Sequence, residues 1–177
     1  LSVSKAVAKD LFAVIAQELP MAGAVVFSDG GKGLMSLSFT TQLINMAREN
    51  DIAVFVDPKG NDWEHYRGAT CITPNLKELQ EVSPAAVQDT TAACLQIIQE
   101  LDLQYLLVTR GAGGMSLYQM EAAPVHIKAH AREVFDVSGA GDTVIASLAA
   151  ATAAGMNFGT AADFSNTAAG TVVGKVG

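Results

Sequence analysis

Three short, uninterrupted apolar runs constrain this chain more than any other feature: Ala24-Val-Val-Phe27, Ile52-Ala-Val-Phe-Val56 and Tyr105-Leu-Leu-Val108. A strand with one wet face alternates polar and apolar residues, whereas a run apolar at every position is expected of a strand covered on both faces. The stretches between the runs carry helical spacing instead. Val3, Val7, Leu11, Phe12 and Ile15 predict a helix over about residues 3–19, and a second helix runs to about Glu49. Strand, loop, helix, strand is the rhythm of a parallel sheet with crossover helices.

The same rhythm continues. A strand is expected near Ala69–Thr73 and a helix opening at Asn75 after Pro74, followed by a longer helix over about Pro84–Leu101. Gly111–Gly114 predicts a turn into an antiparallel strand, Met115–Gln119, with another strand at Ala123–Lys128. Ala-rich helices are expected over about 140–154 and 159–173. No repeat or linker interrupts the pattern, so the expectation is one α/β domain over residues 1–177.

Composition excludes several function classes. Half of the 177 residues are hydrophobic, enough for a sizeable core. A net charge of −7 argues against nucleic-acid binding, which needs clustered Lys and Arg. A protein of this charge that handled phosphates would need local cations, backbone amides or a metal ion. Cys71 and Cys94 sit in apolar surroundings without CxxC spacing, as expected of reduced thiols in a cytoplasmic protein. No apolar run approaches bilayer length, and the N-terminus lacks a signal-peptide pattern. Leu1 is not an initiator Met and falls inside helical spacing, which leads us to expect a fragment.

Ligands in open α/β sheets collect at the carboxyl ends of the strands, and the distinctive residues fall at such junctions. In Asp136-Val-Ser-Gly-Ala-Gly-Asp142, glycines let the backbone turn tightly before an apolar helix. The amides of Gly139, Ala140 and Gly141 at that helix start suit an anion, and Asp142 beside them suits a base. The same residues also fit a plain turn with Asp142 capping a helix. No Gly-Lys-Ser/Thr follows the glycines and the third glycine of a dinucleotide fingerprint is missing, which speaks against a P-loop and an oxidoreductase. Asn75-Leu-Lys-Glu78 places two oxygen side chains on one helical face, fitting either a hydrated ion or a capped helix. Thr109-Arg-Gly-Ala-Gly-Gly114 fits a ligand-facing turn or an ordinary hairpin. His65, His126 and His130 share no metal-ligand spacing.

Taken together and in this order, the motifs resemble those of the ribokinase-like (PfkB) carbohydrate kinases. D-x-x-G-A-G-D, N-x-x-E and T-x-G-x-x-G occur at Asp136–Asp142, Asn75–Glu78 and Thr109–Gly114. Ser147 stands where that family more often has Ala or Gly. The resemblance implies a three-layer α/β/α sandwich with a mainly parallel sheet, lacking here the N-terminal lid portion. It implies Asp142 as catalytic base with the amides of Gly139, Ala140 and Gly141 as anion hole. Asn75 and Glu78 are implied to organise Mg²⁺, with Asn75, Thr109, Gly111, Gly114 and Asn166 on the ATP side.

Phe55–Thr70 running into Ile72-Thr-Pro-Asn75, together with the ending Ala168–Gly177, is similar to the heptose-7-phosphate kinases. That narrower resemblance implies ATP-dependent phosphorylation of D-glycero-D-manno-heptose 7-phosphate at O1, on the way to lipopolysaccharide core, and a homodimer at full length. Lys32, Lys59 and Asp29 are its substrate residues; on charge alone each lysine is also a plain solvated cation. Gly30 replaces an aromatic residue of that group's S-D-Y-x-K-G loop. Without lid and sugar pocket, the 177 residues alone are expected to turn over weakly or not at all. The competing readings are another sugar kinase of the family and a nucleotide-binding module without turnover.

Overall fold

The computed structural model describes residues 5–28, 36–129 and 139–173. A six-stranded sheet runs in sequential order, β1 Ala24–Ser28, β2 Ala53–Asp57, β3 Cys71–Ile72, β4 Tyr105–Thr109, β5 Met115–Tyr118 and β6 Val125–Ile127. The first four strands are parallel, with β5 antiparallel to β4 and β6 antiparallel to β5. Helices α1 Lys5–Glu18, α2 Leu37–Glu49, α3 Leu76–Val82 and α4 Thr90–Glu100 cover one face, and α5 Ala140–Ala153 and α6 Phe158–Val173 the other.

The continuous apolar runs are explained by these two layers. Along β2, Val54 and Val56 join the core beneath α1–α4, while Phe55 points to the core beneath α5 and α6. Leu106 and Val108 repeat that division on β4, with Leu107 facing the other way. The runs on β2 and β4 therefore bury both of their faces, as their lack of alternation predicts. On the edge strand β1, by contrast, only Phe27 is buried and Val26 is 41% exposed, so that run is left partly open on the Val26 face.

Three elements differ from their sequence expectations. The helix expected over Pro84–Leu101 divides into a 3₁₀ turn, Pro84–Val87, and α4. Asp89 between them is extended (φ −139°) and caps α4, its carboxylate accepting from the Ala92 amide at 2.9 Å. The strand expected near Ala69–Thr73 shortens to Cys71–Ile72, although the amides of Thr70 and Thr73 still donate to the carbonyls of Val54 and Val56. That expected at Ala123–Lys128 narrows to Val125–Ile127, beginning after Pro124, which has no amide to give to a ladder.

Helix α5 runs back along β1 and β2 because its far end is seated on the residue before β1. A Cβ placed on Gly23 would stand 2.9 Å from the Cβ of Ala153, so only glycine allows this approach. With Ala153 at the start of β1, the first turn of α5 is brought to the carboxyl ends of the strands.

Candidate active site

Three strand ends and one helix start supply the site. Asp57 closes β2, and Asn75 follows β3 as the N-cap of α3. Thr109 closes β4, its amide donating to the Pro74 carbonyl at 2.9 Å, and an isolated parallel bridge joins Asn75 to Thr109. The N-x-x-E and T-x-G-x-x-G motifs, separated by 34 positions in sequence, are thus next to each other.

Asn75 and Glu78 form a complete capping box. The Asn75 Oδ1 accepts from the Glu78 amide and Glu78 Oε2 accepts from the Asn75 amide, each at 2.9 Å. The helix-start reading of these residues is therefore correct as far as it goes, and it leaves Glu78 Oε1 for other work. That oxygen meets the Lys59 ammonium at 2.7 Å, and the same ammonium lies 3.5 Å from Asp57 Oδ2.

Burial pushes the Asp57 carboxyl above its ordinary value; Lys59 pulls it down, but Glu78 and Asp142 push it up again as like charges. Asp142 is thus the weakest of the charges that act on Asp57. Desolvation pulls Lys59 down, yet its hydrogen bond to Glu78 and the two carboxylate charges outweigh this and hold it above the usual lysine value. The lysine is firmly charged.

The G-A-G-D segment begins α5, with Gly139 as the N-cap in the left-handed region (φ +73°). Asp142 is the third residue of the helix and exposed, so it does not cap α5. A Cβ on Gly139 or Gly141 would meet nothing within 4 Å, so the space over the first amides of α5 is open among the described residues. Ser147, the departure from the family pattern, is satisfied inside the helix by the carbonyls of Thr143 and Val144.

The glycine turn is packed harder. Gly114 (φ +81°) presses on the end of β6, where a Cβ would fall 2.0 Å from the Ile127 carbonyl oxygen. Arg110 braces the turn, its amide donating to the Gly114 carbonyl at 2.8 Å and its Nη2 to the Tyr118 hydroxyl at 2.9 Å. Gly111, at φ +55°, has open space around it. Asn166 is buried on α6 and its amide group donates to the Lys128 carbonyl at 2.7 Å, fixing α6 to the same end of β6. A cavity of about 480 Å³ opens between Val125–Ala129 and Gly159 and Asp163 of α6, without Asn166 in its lining. A larger one, about 630 Å³, lies at the opposite ends of the strands around Arg48, Thr70, Asp102 and Tyr105, away from every motif.

Lys32 and Asp29 fall outside the described residues, as do Asp136 and His130. Reading the sequence missed the Lys59–Glu78 pair and the Arg110–Tyr118 brace. Neither has a sequence signal: the first spans 19 positions between two strand ends, and the second crosses a hairpin.

Among the described residues, no group of three His, Cys, Asp or Glu could enclose a metal ion. The donor set still fits Mg²⁺, which keeps several waters and takes one or two carboxylates plus phosphate oxygens. Glu78, Asp57 and the side chain of Asn75 are the oxygen donors that would hold it.

The chain matches the model of the pfkB family carbohydrate kinases over residues 6–177. The bifunctional protein HldE of Paramagnetospirillum magneticum is 47% identical over 178 residues, covering 99% of this chain and 36% of that protein. HldE of Hahella chejuensis is 49% identical over 165 residues, covering 92% of this chain and 34% of that protein. The chain thus spans about a third of the length of these curated relatives. Among solved structures, Arabidopsis thaliana ribokinase complexed with ribose and ATP superimposes with a TM-score of 0.78 at 22% identity, over 92% of this chain and 53% of that one. Escherichia coli phosphofructokinase-2 in complex with potassium gives 0.79 at 20% identity, over 99% and 58%. At these identities the structures establish a common fold, the ribokinase-like α/β/α sandwich.

Proposed function

Because the chain belongs to the pfkB family of carbohydrate kinases, we propose that it is the ATP-binding and catalytic portion of a sugar-phosphate kinase. The acceptor is D-glycero-D-manno-heptose 7-phosphate, phosphorylated at O1 to the 1,7-bisphosphate. What carries the reading is the Asp57–Lys59–Glu78 cluster at the carboxyl ends of the strands, with the Asp142 charge acting on Asp57 from the start of α5. The heptose assignment rests further on the Phe55–Asn75 segment and on the likeness to the HldE proteins.

The chemistry assigned to these residues is an in-line transfer. The O1 hydroxyl of the sugar attacks the γ-phosphorus, the bond to the bridging oxygen breaks, and ADP leaves with that electron pair. Asp142 takes the hydroxyl proton. Its exposed place in the first turn of α5 leaves it open to an acceptor. The amides of Gly139, Ala140 and Gly141 lie at the start of α5, where a Cβ on either glycine would meet nothing within 4 Å, and would stabilise the charge on the equatorial oxygens. Bound Mg²⁺ would neutralise phosphate charge, with Asn75 and Glu78 holding it in part through water. Thr109, Gly111, Gly114 and Asn166 form the nucleotide side. Lys59 is assigned to the sugar phosphate, as are Lys32 and Asp29 on the resemblance alone.

The test is a phosphorylation panel run on the whole protein with ATP and Mg²⁺. Heptose 7-phosphate should be the preferred acceptor over fructose 6-phosphate, fructose 1-phosphate, ribose and adenosine. Preference for another acceptor would replace the heptose assignment, and nucleotide binding without transfer to any would leave only a binding module.

A further inference from the structure

Both oxygens of Glu78 are already engaged, Oε1 by the Lys59 ammonium at 2.7 Å and Oε2 by the Asn75 amide at 2.9 Å. Asp57 Oδ2 shares the same ammonium at 3.5 Å. A divalent cation approaching these carboxylates therefore meets oxygens that have a counter-ion in place.

That counter-ion is also held by its backbone. The Lys59 amide donates to the Tyr66 hydroxyl at 3.4 Å, and the Trp63 indole donates to the Gly60 carbonyl at 3.1 Å. Trp63 and Tyr66 are both buried, so the loop from Asp57 to Gly60 is fastened to the core on its far side. The Lys59 side chain nevertheless remains 41% exposed, which leaves it room to move off the carboxylates. Fixed at the root and partly exposed along its side chain, it can give way to another cation without the loop unfolding.

We infer that Lys59 is the resident counter-ion of Glu78 and Asp57, competes with a divalent cation for their oxygens, and so sets the metal requirement of this site. The inference rests on the kinase reading only for the choice of Mg²⁺ as the physiological ion; the competition itself follows from the pairing. Lys59 is here a positioning residue, acting through the two carboxylates.

The experiment uses the metal alone, without nucleotide or sugar, so its outcome is independent of the acceptor panel. Free Mn²⁺ is counted by electron paramagnetic resonance over the whole protein and its variants. Removing a unit charge this close to the carboxylates should tighten Mn²⁺ binding by about tenfold or more in Lys59→Met, whereas Lys59→Arg stays near the parent. Lys77→Met removes the same charge from an exposed lysine paired with Glu81 and should change nothing. Unchanged or weaker binding in Lys59→Met overturns the inference, and so does an equal gain in Lys77→Met. Should Lys59→Met not fold, as judged by the emission of Trp63, the unmodified protein decides. On Mg²⁺ titration the ¹⁵N ammonium resonance of Lys59 should shift, and a resonance indifferent to Mg²⁺ overturns the assignment.

Discussion

Gly23 and Ala153 are so close that no side chain fits between them: a Cβ on Gly23 would stand 2.9 Å from the Ala153 Cβ. This contact fixes the far end of α5 at the entrance of β1, so the near end delivers Asp142 to the carboxyl ends of the strands. A packing detail about three turns away from Asp142 therefore bears on where the proposed base sits.

Gly23→Ala should accordingly destabilise the protein by about 1–3 kcal/mol through overpacking. The double variant Gly23→Ala/Ala153→Gly removes the competing methyl and should recover most of that loss, less about 1 kcal/mol for glycine in a helix. Urea denaturation of the four proteins of this cycle measures both. Additive losses would show that the two positions do not compete for space.

Gly141 and Gly139 should behave differently although both face open space. Gly141 lies within α5, so Gly141→Ala should leave stability unchanged or raise it by about 0.5–1 kcal/mol. Its new methyl enters the space over the amides, and the proposed phosphoryl transfer should fall. Gly139→Ala must hold φ at +73°, a strain of about 1–2 kcal/mol for a residue with a Cβ. Thermal melts beside turnover assays separate the two, and full activity in Gly141→Ala would remove the anion hole from the proposal.

Asp142→Asn keeps the shape of the side chain and removes the base. Turnover of the whole protein should drop by roughly 10²–10⁴ with ATP affinity largely retained. The stability cost should stay within about 0.3–1 kcal/mol, the worth of a carboxylate near an exposed helix N-terminus. Calorimetric ATP titration and steady-state kinetics supply the two readouts. Unchanged turnover takes Asp142 out of the mechanism.

Glu78→Gln leaves the capping box able to close, since an amide oxygen can still accept from Asn75. It removes the charge that faces Lys59. With that lysine partly exposed, stability should fall by less than about 1 kcal/mol. The Mg²⁺ concentration needed for half-maximal turnover should rise. An unaltered Mg²⁺ dependence would reduce Glu78 to a helix cap.

The two thiols make the fold sensitive to alkali. Burial pushes the Cys94 thiol up to about 12 from an ordinary 9.0, and the Cys71 thiol higher still. Above pH 9 the unfolded chain releases protons that the folded one keeps. Stability from this source is therefore complete below pH 9 and is lost as pH rises, by up to about 1.4 kcal/mol per pH unit for each thiol. Denaturation midpoints between pH 8 and 10.5 should fall accordingly, and Cys94→Ala should flatten the slope. Neither native thiol should react with a disulfide reagent at pH 8.

Much of this protein is determined locally. Apolar runs without alternation forced Val54, Phe55 and Val56 into a strand with two buried faces, and hence a layered sheet. The glycines ahead of Asp142 marked a helix start, and Asn75 with Glu78 wrote their own capping box, because a box closes within one turn. Asp89 wrote a cap too, though it is easily overlooked inside a helical pattern. The tertiary structure alone decided which of these pieces meet. Lys59 and Glu78 pair because β2 and β3 are neighbours, and Asn75 bridges to Thr109 because β3 and β4 are. Asp142, in the first turn of α5, is carried to the carboxyl ends of the strands because Gly23 admits Ala153. Local geometry travels with the sequence, whereas an ion pair between strand ends depends on which strands adjoin and how closely their helices pack.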